Sequence, residues 1–484
     1  MSKIHKRQLF IGVFWVFIGQ IAYLLVSLVT NIILARLLSP YEFGQVAIVF
    51  FFIVISQELT DSGLGGSLIR NPNTSSKDYS TIFIFNLAVS LILVIVLALS
   101  AGVVAAYYND LELKNILLVS SLIILINSFQ IVQSTRLIKN MHFKRKALYD
   151  FIAVLVSSVI SIIFAYHDYG VWSLVIYQIS ISTIQSTLYW VFEGGFGPWV
   201  FDKGSFKMHY KFGLNTTLAN LLNTFFDNIY QLIFGKYFSI SQTGLFYQAK
   251  KLQAVPIGVI QKIIHTVIFS SLSKIQHNAE DFKKYYQKIV TFFTISSGLI
   301  CLLIFLYAEN LILLVYGSEW IEATLFMKVL ILSSFFYLQE SFNRVVFKVY
   351  DKTEIILKLE FVKKGIQLIT ILIGMLYLSM EVLVYGILVT SVISYYVNFL
   401  KSRRMFISLG WFELRVLLKV ITIAVVLSII SFTLSGGLGN QVNLSLLYAP
   451  LIIIIYYLSL WILRVLDPVD YYKSLIFLLK RQKK

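Results

Sequence analysis

The chain has 484 residues, of which 58% are hydrophobic and only 13% charged, and carries a formal net charge of +17. A soluble domain carries about 25% charge, so soluble enzymes and nucleic-acid modules are excluded and a polytopic membrane protein remains. The single cysteine, Cys301, allows no internal disulfide, and with the six scattered histidines it forms no metal-ligand spacing.

A membrane-spanning helix needs about 20 mostly apolar residues. Fourteen stretches qualify in chain order: 9–34, 44–67, 80–106, 115–135, 148–166, 170–193, 212–234, 244–270, 289–307, 323–343, 359–378, 381–400, 416–434 and 444–463. Lys3, Lys6 and Arg7 precede the first, which is too long for a signal-peptide core and has no Ala-x-Ala site after it. It reads as an uncleaved first span with a cytoplasmic N-terminus. Each later span then reverses the side, and both termini are expected in the cytoplasm. On that assignment 31 Lys and Arg fall in cytoplasmic segments and 3 outside, a strong positive-inside bias. Anionic lipid of the cytoplasmic leaflet accounts for the basic balance; nucleic acid does not.

Local signals modify single spans. Gly63, Gly65 and Gly66 loosen the end of the second, as a hinge or a close-packing surface. Pro256 predicts a kink in the eighth. The loop 194–211 holds Phe201, Phe206 and Tyr210 between lysines, which predicts a short amphipathic piece along the interface.

The chain repeats itself. Leu34–Ala47 returns as Phe234–Tyr247, with Arg36 on Lys236, Ser39 on Ser239 and Gly44 on Gly244. Further on, Tyr108 matches Tyr316, Arg136 matches Arg344 and Lys144 matches Lys352, the changed offset fitting a longer loop over 309–322. The division expected is 1–199, 200–404 and 405–484: two six-helix lobes, then two extra helices and a basic cytoplasmic tail. Six spans per half is an even number, so the repeat is parallel, an architecture of secondary transporters.

Ionisable residues inside spans are costly and mark candidate sites. Lys250 and Lys251 lie two turns into an apolar helix beside Gln248 and Gln253; they read as a cationic patch for a phosphate or other anion, or as members of an ion pair with an acid such as Asp227. Arg36 and Lys236 either face a cavity or snorkel to the outer interface. Arg70 is either a site cation or an ordinary loop base. Lys363 and Lys364 either serve a site or snorkel to the cytoplasmic face. Asp61, Glu58, Asp227 and Glu340 either couple H⁺ or Na⁺ or pair with bases. No nucleophile elbow, metal motif or Asp-x-Asp is present, so no enzyme, catalytic residue or cofactor is expected.

Leu34–Ala47, Asp61–Arg70, Phe143–Ala147, Gly170–Leu174, Asp227–Lys236 and Gly244–Lys251 together resemble the polysaccharide-synthesis exporters. These are the Wzx-type flippases of O-antigen, colanic acid and teichuronic acid repeat units, grouped with multidrug extruders and the lipid II flippase in the multidrug/oligosaccharidyl-lipid/polysaccharide superfamily. The resemblance covers nearly the whole chain and does not specify the substrate. It implies an all-α protein of 12 or 14 helices whose lobes form a MATE-like V. It implies transport of an undecaprenyl-diphosphate-linked oligosaccharide to the outer leaflet of a bacterial plasma membrane, with a polymerase and glycosyltransferases as partners. Two other readings fit the residues: a cation-coupled multidrug antiporter centred on acids, and a non-transporting scaffold of a glycan-synthesis complex.

Overall fold

In the computed structural model the residues described are 3–195, 197–406, 410–437 and 448–465, with side chains from 15 on except at 215 and 434–437. The basic tail expected after 465 lies outside them. All regular structure among them is helical, because in hydrocarbon a spanning segment must satisfy its backbone N–H and C=O groups internally.

Ten helices are long and apolar enough to cross a membrane. Helices also stand at the expected positions 170–193, 212–234 and 359–378, but they are too polar or too charged to meet that standard on composition. The last expected span is described as Ala449–Ile462, which is short.

Contacts divide the chain into two compact units, Met1–Tyr247 and Gln248–Lys484. The first contains α1 (Lys3–Leu37), α2 (Pro40–Asp61), α3 (Leu64–Arg70), α4 (Ser76–Tyr108), α5 (Glu112–Lys139), α6 (Phe143–Tyr166), α7 (Val171–Glu193) and α8 (Lys203–Tyr237). Here α5 packs on α4 and α7, α6 packs on α1 and α7, and α2 packs on α5 and α8. Helix α9 (Ile240–Ile263) starts in this unit and continues into the second.

The second unit adds α10 (Phe269–Ser273), α11 (Ala279–Leu306), α12 (Ala308–Val315), α13 (Ala323–Val349), α14 (Thr353–Leu376), α15 (Met380–Met405), α16 (Phe412–Gly437) and α17 (Ala449–Ile462). Helix α13 packs on α11 and α15, and α16 packs on α11 and α17. The terminal pair is thus bound to the unit rather than trailing from it. Tyr456 of α17 is buried and donates to the Ile295 carbonyl of α11 at 2.9 Å.

Local chemistry sets the helix boundaries. Ser39 precedes α2, Pro40 opens it, and the Ser39 amide donates to the Glu42 carboxylate at 2.7 Å, which satisfies a backbone donor that the helix leaves free. Ser75 and Asp78 form the same reciprocal cap on α4. Helix α2 ends where Ser62 and Gly63 take left-handed backbone angles, φ 50° and 58°. A Cβ on Gly63 would lie 2.8 Å from the Gly213 carbonyl oxygen, so α8 crosses this break at backbone distance.

Three expectations change. The segment before α8 is not a separate amphipathic helix: Phe206 and Tyr210 lie in the first turns of α8 itself, which is capped by Asp202 accepting from the Ser205 amide at 2.7 Å. Helix α9 continues through Pro256, and a π-helical turn that the sequence reading did not expect follows at Ile264–Ile268. The stretch 309–322, expected as a loop, contains most of α12 and the 3₁₀ turn Ser318–Trp320, held by buried Tyr316 and Trp320.

Candidate functional site

The first unit contains an open cavity of about 780 Å³ between α1, α2, α3, α5, α6 and α7. Five side-chain amides line it: Gln20, Gln57, Asn127, Gln130 and Gln185. An apolar run that faced only lipid or packed core would not retain them, because an unpaired amide in hydrocarbon costs several kcal/mol. Gln130 donates to Asn127 at 2.6 Å and Gln185 to Asp150 at 3.1 Å. Gln20 and Gln57 line the cavity and make no side-chain hydrogen bond among the described residues.

The charges of this cavity are unequal in standing. Lys146 lies 2.7 Å from Asp150, one turn on along α6, and Tyr189 donates to the same carboxylate at 2.8 Å. Asp150 and Lys146 therefore neutralise each other. Asp61, at the end of α2, lines the cavity with no hydrogen bond or ion pair among the described residues. Glu58 is three residues before it on the same helix and adds a second negative charge. Gly65 keeps the space beside Asp61 open: a Cβ there would stand 3.4 Å from the Asp61 carboxylate and 3.0 Å from the Thr135 hydroxyl.

The second unit holds a separate charge network. Glu340 is fully buried on α13. It accepts from Arg344 at 2.5 Å and from Lys363 of α14 at 3.1 Å. Arg344 also reaches Glu360 at 2.5 Å. Lys363 is therefore drawn inward to a carboxylate and does not reach for the interface. A second buried group joins four helices, with Arg403 paired to Glu413. Glu413 also accepts from Tyr286 at 2.9 Å and from Asn343 at 2.8 Å.

The site residues read from the sequence fall on several helices of both units. Asp61 lines the cavity, with Glu58 close by on α2, and Glu340 belongs to the buried network of the second unit. Lys250 is half-buried and Lys251 exposed on α9. Arg36 is exposed in the last turn of α1, and Asp227 is exposed on α8. Lys236 donates to the Tyr107 carbonyl at 2.6 Å and sits 4.1 Å from that ring's centre. Arg70 stacks on Phe212 at 5.3 Å. A search for ionisable groups passes over the amides of the cavity. Their signal was glutamine and asparagine recurring inside otherwise apolar runs, on segments far apart in sequence.

Apolar helices around a polar cavity define a multi-pass membrane protein. The chain shares its fold with the lipid II flippase MurJ in an inward closed conformation, with a TM-score of 0.72 at 15% identity, over 95% of this chain and 99% of that one. The teichuronic acid biosynthesis protein TuaB of Bacillus subtilis (strain 168) is 21% identical over 326 residues, 67% of this chain and 68% of its own length. The succinoglycan biosynthesis transport protein ExoT of Rhizobium meliloti (strain 1021) is 25% identical over 311 residues, 63% of this chain and 62% of its own length. The match thus spans about two thirds of the first relative and less than two thirds of the second. The chain belongs to the family described as polysaccharide biosynthesis protein, whose sequence pattern matches residues 33–325.

Proposed function

We propose that this protein is a flippase. It carries an undecaprenyl-diphosphate-linked oligosaccharide repeat unit from the cytoplasmic to the outer leaflet of a bacterial plasma membrane by alternating access, for surface polysaccharide synthesis. In this reading fourteen spans form two six-helix lobes with two C-terminal helices in a MATE-like V, and both termini are cytoplasmic. Lys250 and Lys251 hold the diphosphate, with Arg36, Lys236 and Arg70 as further cations on its route. Asp61, Glu58, Asp227 or Glu340 couples transport to H⁺ or Na⁺.

The observation that carries the proposal is a cavity of about 780 Å³ lined by five side-chain amides, Asp61, Asp150 and Lys146 inside a bundle of apolar helices. Such a space in a membrane serves a polar cargo or ion, and membership of a polysaccharide biosynthesis family points to a glycan. The lipid tail needs no polar site, since it can remain in the bilayer.

The test is leaflet exchange of a fluorescent undecaprenyl-diphosphate oligosaccharide in liposomes. Exchange by wild type that collapses in Lys250→Ala/Lys251→Ala, with equal insertion, is the expected result. Exchange that survives in the double variant keeps the flippase and removes the lysine site. No exchange by wild type, across several lipid-linked glycans and with an imposed ion gradient, overturns the proposal in favour of an antiporter or a scaffold.

A further inference from the structure

We infer that the cavity of the first unit is the subsite for the sugar part of the cargo, and that the diphosphate is bound elsewhere. This rests on the flippase reading and assigns one part of the substrate to one set of residues. The argument begins with charge. Asp61 and Asp150 both line the cavity, and the one lysine among its described lining residues, Lys146, is 2.7 Å from Asp150. The formal balance of these three groups is one negative charge. A diphosphate placed here would meet the Asp61 carboxylate, and among the described lining residues no uncommitted cation offsets that like charge.

The remaining lining suits a polyol. A hydroxyl-rich ring offers donors and acceptors on neighbouring carbons. Side-chain amides match it because each carries both a donor and an acceptor, and a carboxylate accepts from two hydroxyls at once. Gln20, Gln57 and Asp61 line the cavity without a hydrogen bond or ion pair among the described residues. Tyr23 adds an aromatic side chain to the lining, while Tyr189 is buried behind it and donates to Asp150. The volume lies within the about 300–1,000 Å³ of sites that take a drug-sized ligand. Asp150 already accepts from Lys146, Gln185 and Tyr189, so it fixes the wall and leaves Asp61 as the carboxylate that meets cargo.

Two probes test this on the full-length protein in nanodiscs: undecaprenyl diphosphate, and the undecaprenyl-diphosphate glycan pool extracted from membranes of a source strain deleted for this gene. Wild type is expected to bind the glycan pool at least tenfold more tightly. In Gln20→Ala/Gln57→Ala, and separately in Asp61→Asn, that advantage should vanish while undecaprenyl diphosphate binds as before. A second measurement does not depend on weakened binding. Cys301 is buried, so a maleimide reports on Gln20→Cys alone, and the glycan pool should slow its labelling where undecaprenyl diphosphate does not. An advantage that survives both variants, with no protection at position 20, overturns the sugar subsite and leaves the flippase reading standing. If Asp61→Asn alters only the dependence of binding on Na⁺ or pH, the cavity is a cation site and the inference fails. If wild type shows no preference for the glycan pool, the sugar subsite falls and the flippase reading stands; if wild type binds neither probe, the flippase reading falls and takes this inference with it.

Discussion

Gly44 of α2 and Gly244 of α9 meet at backbone distance within the first unit. A Cβ on Gly44 would stand 2.7 Å from the Ile240 carbonyl carbon, and one on Gly244 would stand 2.8 Å from the Gly44 amide nitrogen. Each glycine occupies the same place in one copy of the internal repeat. The repeat therefore supplies both halves of one helix crossing, where only the smallest residue allows the backbones so close.

Gly44→Ala or Gly244→Ala forces these backbones apart, and no side chain can rotate away to relieve the clash. Each should destabilise the purified protein by about 1–3 kcal/mol, the usual cost of overpacking, read as a lower midpoint of thermal unfolding in detergent. Gly258→Ala is the control. No atom lies within 4 Å of a Cβ at Gly258, and alanine favours a helix, so that midpoint should hold or rise.

Glu340 is the hub of the second unit's network. Glu340→Gln removes the carboxylate that Arg344 and Lys363 share. Breaking a buried pair on one side costs about 3–5 kcal/mol, so the unfolding midpoint should fall well below that of Lys363→Met, which leaves Arg344 paired. Equal midpoints for the two variants would show that the network adds little.

Arg403 and Glu413 tie α15 to α16. Glu413→Met leaves a buried guanidinium with no carboxylate, whereas Arg403→Met/Glu413→Met removes both charges together. The double variant should be more stable than the single one, because an orphaned buried charge costs more than a missing pair. A double-mutant cycle on unfolding midpoints measures the difference. A double variant no better than the single would place the stability in Tyr286 and Asn343 instead.

Lys146 and Asp150 present the opposite case. Their side chains keep 28% and 22% of their surface exposed, so solvent screens the pair. Asp150→Asn should cost about 1 kcal/mol or less, and the unfolding midpoint should stay close to wild type. A drop as large as that of Glu340→Gln would mean that the cavity is drier than its lining suggests.

The sequence by itself determined the all-helical membrane class, because long apolar runs leave the backbone no other way to satisfy its hydrogen bonds in lipid. It also placed Gly44 and Gly244 at matching positions in two similar stretches, Leu34–Ala47 and Phe234–Tyr247. That these two glycines touch each other was decided only by the fold. Helix boundaries were legible where a cap spells them, as at Ser39-Pro40, and less so at α8, whose first turns are too polar to read as part of a span. The candidate site was mostly hidden. Gln20, Gln57, Gln130 and Gln185 lie on four helices, and only tertiary packing turns them toward one space. Partner choice was hidden for the same reason: nothing near Lys363 in the sequence distinguishes a cation that reaches the interface from one drawn inward to Glu340, because the two are joined by packing of α13 near α14 and not by spacing along one helix.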